Sequence, residues 1–230
     1  MRTSRTDELD TKHVPYFPTP ALEPSRLPKW AELLTTAPRA FARNNEIFGQ
    51  GQPVEYLYKV VEGAIRTSKI LTDGRRQITG FYLSGDFLGI EAGEKHAVSA
   101  EALTDCKVLI IKRNVLAVLA EKNIEVATRL LELTTCELKR AQAHTTLLIM
   151  KASERVAEFL LEMGARAPKV VEIEPRQDIA DYLGLTIETV SRVLGDFEAA
   201  DIIARPTIRH VVVLNRRKLS LALHSVVANA

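Results

Sequence analysis

The chain has 230 residues, 46% of them hydrophobic and 26% charged, with a formal net charge of +2, which suits a globular protein with room for two modest domains. Its two cysteines, Cys106 and Cys136, exclude a disulfide framework and the clustered thiolates of an iron–sulfur or structural zinc site. No run approaches the roughly 18 apolar residues of a membrane span, and the polar start from Met1 to Lys12 lacks the apolar core of a signal peptide, so a cytoplasmic protein with no membrane partner is expected.

Residues 1–28 carry Pro15, Pro18, Pro20, Pro24 and Pro28 among polar neighbours, a density that reads as an irregular arm. From Phe48 the pattern becomes β-rich, with runs at Tyr56 to Val61, Ala64 to Leu71, Gln77 to Leu83, Phe87 to Ile90, Val98 to Leu103 and Lys107 to Ile111. Turn signals separate them, including an Asp73-Gly74 pair, and the spacing predicts an antiparallel sandwich or barrel. After Lys112 the period becomes helical, and the segment from about Ile124 to Met150 holds neither proline nor glycine. Ile124, Ala127, Leu131, Thr134, Leu138, Ala141, Thr145 and Leu148 recur at alternating three- and four-residue steps, the seam of a two-stranded coiled coil. The same spacing also fits an amphipathic helix docked on its own chain. Leu130, Leu133 and Leu147 lie beside the row and are expected against the β-domain.

A further helix is expected to start at Ser153 and Glu154 and to stop at Gly164 and Pro168. The stretch from Arg176 to Leu194 then reads as two short helices joined by a tight turn. Ala180 is small where two helices must approach, Gly184 suits a positive φ in the turn, and Val190 returns an apolar side chain between them. Those three positions define a helix-turn-helix. Thr186 is placed to cap the second helix, leaving Ile187, Glu188, Ser191 and Arg192 to project outward as the base-reading row. Ile202 to Ala204, the basic turn from Arg205 to Arg209 and the run from His210 to Leu214 read as a wing whose arginines reach phosphate, and Arg216, Arg217 and Lys218 extend the basic rim.

A β-rich unit, a long helix and a winged reader in this order resemble the cyclic-AMP receptor protein and FNR superfamily of bacterial transcription regulators over about residues 40–220. The resemblance implies an α+β chain: an arm at 1–28, an antiparallel β-roll at 29–122 of the cyclic-nucleotide-binding jelly-roll kind, a dimerisation helix at 123–150 and a winged helix-turn-helix DNA-binding domain at 151–230. Glu188, Ser191 and Arg192 match the Glu-x-x-Ser-Arg pattern of the FNR and FixK branch, which implies an operator close to TTGAT, four unspecified bases, ATCAA. The chemistry agrees, because arginine can donate twice to guanine and glutamate can accept from cytosine, so Arg192 and Glu188 can read one G·C pair. An exposed i,i+4 ion pair is the plainer alternative for those two side chains. Arg176, Gln177, Thr186 and Thr189 fall where the family contacts phosphate, and Arg205 and Arg209 are assigned to the same task from the wing.

The sensor segment from Phe87 to Ala100 departs from nucleotide-binding members, since it is shorter and holds no arginine to grip a phosphate, with Lys95 its remaining cation. Residues 1–105 hold no cysteine for an FNR-type cluster. His13 and His96 have no second ligand placed by spacing, so haem is not expected. The resemblance therefore implies a FixK-like homodimer without a cofactor. It would bind double-stranded DNA and RNA polymerase as an activator of low-oxygen respiration or nitrogen-fixation genes. The alternative is a ligand-gated member whose β-roll binds a cyclic nucleotide, haem or another small molecule. An enzyme is not expected, for no HExxH, phosphate loop or nucleophile elbow is present.

Overall fold

The computed structural model describes residues 37–166, 171–172, 176–207 and 210–223; the arm at 1–28, His13, Pro168 and Arg209 lie outside the described residues. Strands β1 (Arg39–Phe41), β2 (Glu46–Phe48), β3 (Tyr56–Glu62), β4 (Ala64–Ile70), β5 (Arg76–Leu83), β6 (Phe87–Leu88), β7 (Ser99–Ala102) and β8 (Cys106–Lys112) come first. They form two four-stranded sheets in the orders β1-β8-β3-β6 and β2-β7-β4-β5, with every recorded pairing antiparallel. This is the antiparallel sandwich that the strand spacing predicts and the β-roll that the resemblance implies. Strands β1 and β2 went unread, because three residues each are too few to show a period of two, and the expected strand at Phe87 to Ile90 is cut to two residues.

Two backbone devices shape the roll. Gly63 joins β3 to β4 at a φ of +89°, and a Cβ there would lie 2.5 Å from the Asp105 carbonyl oxygen, so no other residue fits without moving the turn that leads into β8. Between β4 and β5 the pairing jumps from Thr67↔Gly80 to Ser68↔Ile78, leaving Thr79 as an extra residue. Such a bulge re-aims the side chains beyond it. Tyr82 therefore turns into the roll interior, while Ile78, Phe81 and Leu83 all join the core of the C-terminal domain.

Helices α1 (Arg113–Lys122) and α2 (Ile124–Leu147) follow. Asn123 separates them, its side-chain oxygen accepting from the backbone N–H groups of Glu125 at 2.9 Å and Val126 at 3.4 Å. Helix α2 ends at Leu147 rather than Met150, since the chain must turn there into α3 (Ala152–Arg166). The α3 start is fixed by Glu154, which accepts from the Lys151 N–H at 3.0 Å. Gly164 does not stop α3 as expected. One glycine costs a helix only about 1 kcal/mol, and the tightly buried face from Val156 to Met163 outweighs it. Then come β9 (Val171–Glu172), α4 (Arg176–Leu183), α5 (Ile187–Ala199), β10 (Ile203–Ala204), β11 (His210–Val213) and α6 (Arg216–Ala222). Strands β10, β11 and β9 make a small antiparallel sheet, which completes a winged helix. Neither the two-residue β9 nor α6 was legible in the sequence.

The apolar side chains gather in three clusters: the roll interior, the cleft where Leu57, Phe87 and Ile111 meet Leu116, Val126 and Leu133, and the core of the C-terminal domain. Val126, Leu133, Ala143 and Leu147 turn one face of α2 inward. Leu130 is half-buried against the cleft, and Cys106 is buried while Cys136 is partly so.

Candidate nucleic-acid interface

The reader is assembled by α4, the turn after it and α5. Gly184 holds φ at +61°, and the Leu185 N–H closes the turn on the Ala180 carbonyl at 3.0 Å. Ala180 and Val190, both buried, let the two helices approach. Thr186 caps α5 with an extended backbone, its hydroxyl accepting from the Thr189 N–H at 3.2 Å and lying 3.1 Å from the Thr189 hydroxyl. Capping of this kind stabilises a helix by about 1 kcal/mol and fixes where its first turn begins. The inward face of α5 is Val190, Val193, Leu194 and Phe197.

The outward face carries the expected row. Ile187, Glu188 and Arg192 are exposed, and Ser191 is half-buried. The i,i+4 ion pair that the spacing allows between Glu188 and Arg192 is not formed; among the described residues neither side chain sits in an ion pair. The Glu188 carboxyl is held below its ordinary range by its own backbone N–H and by the Thr186 hydroxyl, so it is a carboxylate at neutral pH and an acceptor for a donor in a groove.

The expected phosphate contacts fare unevenly in their geometry. Arg176, half-buried at the start of α4, points its guanidinium at the Ser191 hydroxyl across 3.5 Å, which ties a phosphate candidate to a base-reading candidate. Gln177 is exposed but donates to Asp181 one turn along. Thr186 is committed to the cap, with its outer edge still exposed. Arg205 is tied at the base of the wing, where its Nε donates to Glu198 at 2.9 Å and its backbone N–H to the same carboxylate at 3.2 Å. Arg205 depresses the Glu198 carboxyl in return. Arg216, Arg217 and Lys218 are exposed on the first turn of α6, whose N-cap Asn215 accepts from the Lys218 N–H at 2.9 Å.

On α2, Ile124, Leu131 and Leu138 stand 82%, 67% and 58% exposed. Thr134, Ala141 and Thr145 are exposed with them, and Ala127 and Leu148 are half-buried. The row thus lies opposite the face that packs on the roll.

Contacts that sequence reasoning missed join the reader to the roll. Arg66 on β4 and Arg76 on β5 both donate to Asp178 on α4; Arg76 also reaches Asp181 at 2.8 Å, and Gln77 donates to the Asp181 carbonyl at 2.6 Å. From α2, His144 stacks on Tyr182 at 4.4 Å and donates from Nε2 to its carbonyl at 2.8 Å. Burial holds the His144 imidazole neutral, its pKa below the ordinary value despite that bond. These partners lie up to 112 positions apart in sequence, beyond any spacing rule.

The sensor segment is folded on itself. His96 is buried, stacks on Phe48 at 3.9 Å and donates from Nδ1 to Glu91 at 2.7 Å, while the Ala97 N–H donates to the same carboxylate at 2.6 Å. Lys95 is exposed. Between β5 and α2 the Tyr82 hydroxyl donates to Glu137 at 3.1 Å, Arg140 lies over the Tyr82 ring at 4.6 Å, and Arg166 on α3 pairs with Asp86. These residues do not fit a cyclic phosphate: the segment holds no arginine, and its carboxylate and imidazole satisfy each other.

A Crp-like helix-turn-helix domain model matches residues 154–221 and a cyclic nucleotide-binding domain model matches residues 38–123. The chain is 47% identical over 191 residues to the nitrogen fixation regulation protein FixK of Azorhizobium caulinodans, covering 79% of this chain and 77% of that protein. It is 33% identical to the fumarate and nitrate reduction regulatory protein of Vibrio cholerae, over 77% of this chain and 74% of that one. Among solved structures, FixK2 from Bradyrhizobium japonicum superposes with a TM-score of 0.77 at 42% identity, covering 82% of this chain and 96% of that chain. With the capped reader, the wing and the β-roll in place, these matches establish that the chain belongs to the FixK-like branch of the cyclic-AMP receptor protein and FNR superfamily, whose members are transcription regulators and not enzymes.

Proposed function

We propose that the chain acts as a homodimer that binds a TTGAT-N4-ATCAA-like palindrome and activates transcription of nitrogen-fixation or low-oxygen respiration genes without a bound cofactor. The observation that carries this reading is the outward-facing row of Glu188, Ser191 and Arg192 on a capped helix. Arg192 and Glu188 would read one G·C pair in each half-site, with Ile187 in apolar contact beside them and Ser191 as an adaptable hydroxyl. Arg176, Gln177, Thr186, Thr189 and the wing arginines Arg205 and Arg209 would set register through phosphate. Arg205 must leave Glu198 or reach past it to do so.

The row from Ile124 to Leu148, exposed at six of its eight positions, supports a two-fold seam, which would place two readers about one helical turn, roughly 34 Å, apart. The self-satisfied Glu91–His96 pair and the Tyr82–Glu137–Arg140 contacts support action without an effector. Loops at Gly49 to Pro53, Asp73-Gly74 and Gly164 to Lys169 are the candidate polymerase contacts, as exposed turns commonly are; of the third, residues 164–166 belong to α3 and 167–169 lie outside the described residues. No helix among the described residues is long and apolar enough to cross a membrane.

The test is titration of the purified chain, with nothing added, against the palindromic duplex and a scrambled duplex at one salt concentration. Specific regulators separate such duplexes by about 10³-fold or more. Equal affinity removes the proposal, and a strict need for a cyclic nucleotide or haem replaces it with the ligand-gated alternative.

A further inference from the structure

The first helix of the reader is gripped from two sides by its own chain. On one side stands the β4–β5 hairpin. Asp178 is 1% exposed, and each of its carboxylate oxygens takes a different guanidinium, Arg66 on one and Arg76 on the other. Arg66 is itself buried and carries its second fork arm to Glu101 on β7 at 2.7 Å, so its plane is fixed within the sheet. Arg76 spans Asp178 and Asp181, with Nε and a terminal nitrogen on the latter at 3.0 Å and 2.8 Å. On the other side stands the last turn of α2, whose His144 is stacked within 8° of the Tyr182 ring plane. Arg155 on α3 closes the end of the helix by donating to the Leu183 carbonyl at 2.8 Å.

A buried ion pair of this kind adds little net stability, because desolvation consumes most of the Coulombic gain, but a planar guanidinium that bridges two fixed carboxylates is satisfied in one orientation only. Apolar contacts such as Phe81 on Tyr182 tolerate sliding, whereas two arginines that each bridge Asp178 and a second carboxylate do not. The grip also leaves the reading row alone. It holds the inner side of α4, while Glu188 and Arg192 on α5 remain exposed, so it cannot act by covering the reader.

We infer that Asp178, held by Arg66 and Arg76, is a positioning residue that sets the angle of the reader relative to the α2 seam and so selects the spacing between half-sites. The inference rests on the dimeric, palindrome-binding reading above and deepens it. The roll thereby does in every molecule what an effector would otherwise have to bring about, through side chains of the chain itself.

The test compares the full-length chain with Arg66→Met/Asp178→Leu, in which both buried partners become apolar, and with Arg76→Gln at the part-exposed edge of the network. Each is titrated against palindromes with spacers of two, four and six bases and against a duplex with one half-site. We expect single half-site affinity to stay within about twofold, since one reader needs no fixed partner. The preference for the four-base spacer should fall at least tenfold in the double variant and in the same direction, by less, in Arg76→Gln. A general loss of structure would lower half-site and palindrome binding in parallel, and that result overturns the inference. An unchanged spacer preference overturns it equally, and so does tighter palindrome binding, which would mark the grip as inhibitory. If the unaltered chain shows no palindrome preference, the fault lies with the dimeric reading itself rather than with the assignment of Asp178.

Discussion

Replacing Leu131 by aspartate should break the dimer without unfolding the chain. Ile124, Leu131 and Leu138 together leave about two large apolar side chains' worth of surface in water on each protomer. Full burial of one such side chain is worth about 1.5–3 kcal/mol, so pairing two copies gains roughly 6–12 kcal/mol from these positions. Association itself costs about 4–15 kcal/mol, so the seam is not greatly in surplus. Leu131, two-thirds exposed, supplies about 1–2 kcal/mol per copy and so about 2–4 kcal/mol per dimer. Leu131→Ala should therefore raise the dimer dissociation constant roughly 30- to 1000-fold, and Leu131→Asp, which also sets two carboxylates face to face, should leave monomers at micromolar concentration. Sedimentation velocity over a concentration series measures this directly, with Lys139→Ala on the exposed flank as a control. Thermal unfolding of the monomer should move little, because Leu131 has few partners in its own chain. A dimer that survives Leu131→Asp, or a variant that loses its fold instead, would refute the seam and favour a helix docked on its own domain.

Other consequences follow from single contacts. Gly184→Ala forces a Cβ into a φ of +61° and to 3.3 Å from Leu148, and should cost about 1–2 kcal/mol in chemical denaturation; Gly184→Asn, better suited to that region, should cost less. An unchanged midpoint for the alanine variant would contradict the turn geometry. Burial raises the Glu162 carboxyl from 4.5 to about 7, against the opposing pull of Arg166 and Arg140, and one of its oxygens has no hydrogen-bond partner among the described residues. Because the folded pKa lies above the unfolded one, stability is full below about pH 4.5 and declines as pH rises through 7, by up to about 3 kcal/mol. Glu162→Gln should then be close to neutral at pH 4.5 and stabilising at pH 8, and equal effects at both pH values would count against it. Arg176→Ala should weaken all DNA sites alike and lower the salt slope by about one per reader, whereas a change in base preference would remove it from the phosphate set.

The sequence was most eloquent where local rules act alone. Ala180, Gly184, Thr186 and Val190 each answer to one backbone requirement, so the turn, the cap and the outward row could be placed residue by residue. The periodic row on α2 was legible because the helix is long enough for its period to repeat, although spacing by itself left open which face turned inward; the burial of Val126, Leu133 and Leu147 leaves the row outside. Short elements were not legible. Strands β1, β2 and β9 have two or three residues each, and only their partners in β8, β7 and β11 define them. The grip on α4 was hidden for a different reason. Asp178 and Asp181 look like ordinary solvent-facing carboxylates on an amphipathic helix, and nothing near them in sequence announces two arginines arriving from the β4–β5 hairpin. Arg205 shows the same limit in reverse, since a basic wing residue read as a free phosphate contact proves to be engaged by Glu198.

Whether Glu188 and Arg192 choose the bases is decided by a double-mutant cycle between protein and DNA. Arg192→Ala and the unaltered chain are each titrated against the TTGAT/ATCAA palindrome and against one in which the G·C pair of both half-sites is replaced by A·T. On the intact palindrome the variant should lose about 1–3 kcal/mol per half-site, about 30-fold or more overall, and on the altered palindrome the two proteins should bind almost equally. A loss of the same size on both duplexes would mean that Arg192 contacts DNA without reading it, and the account would be wrong at its core.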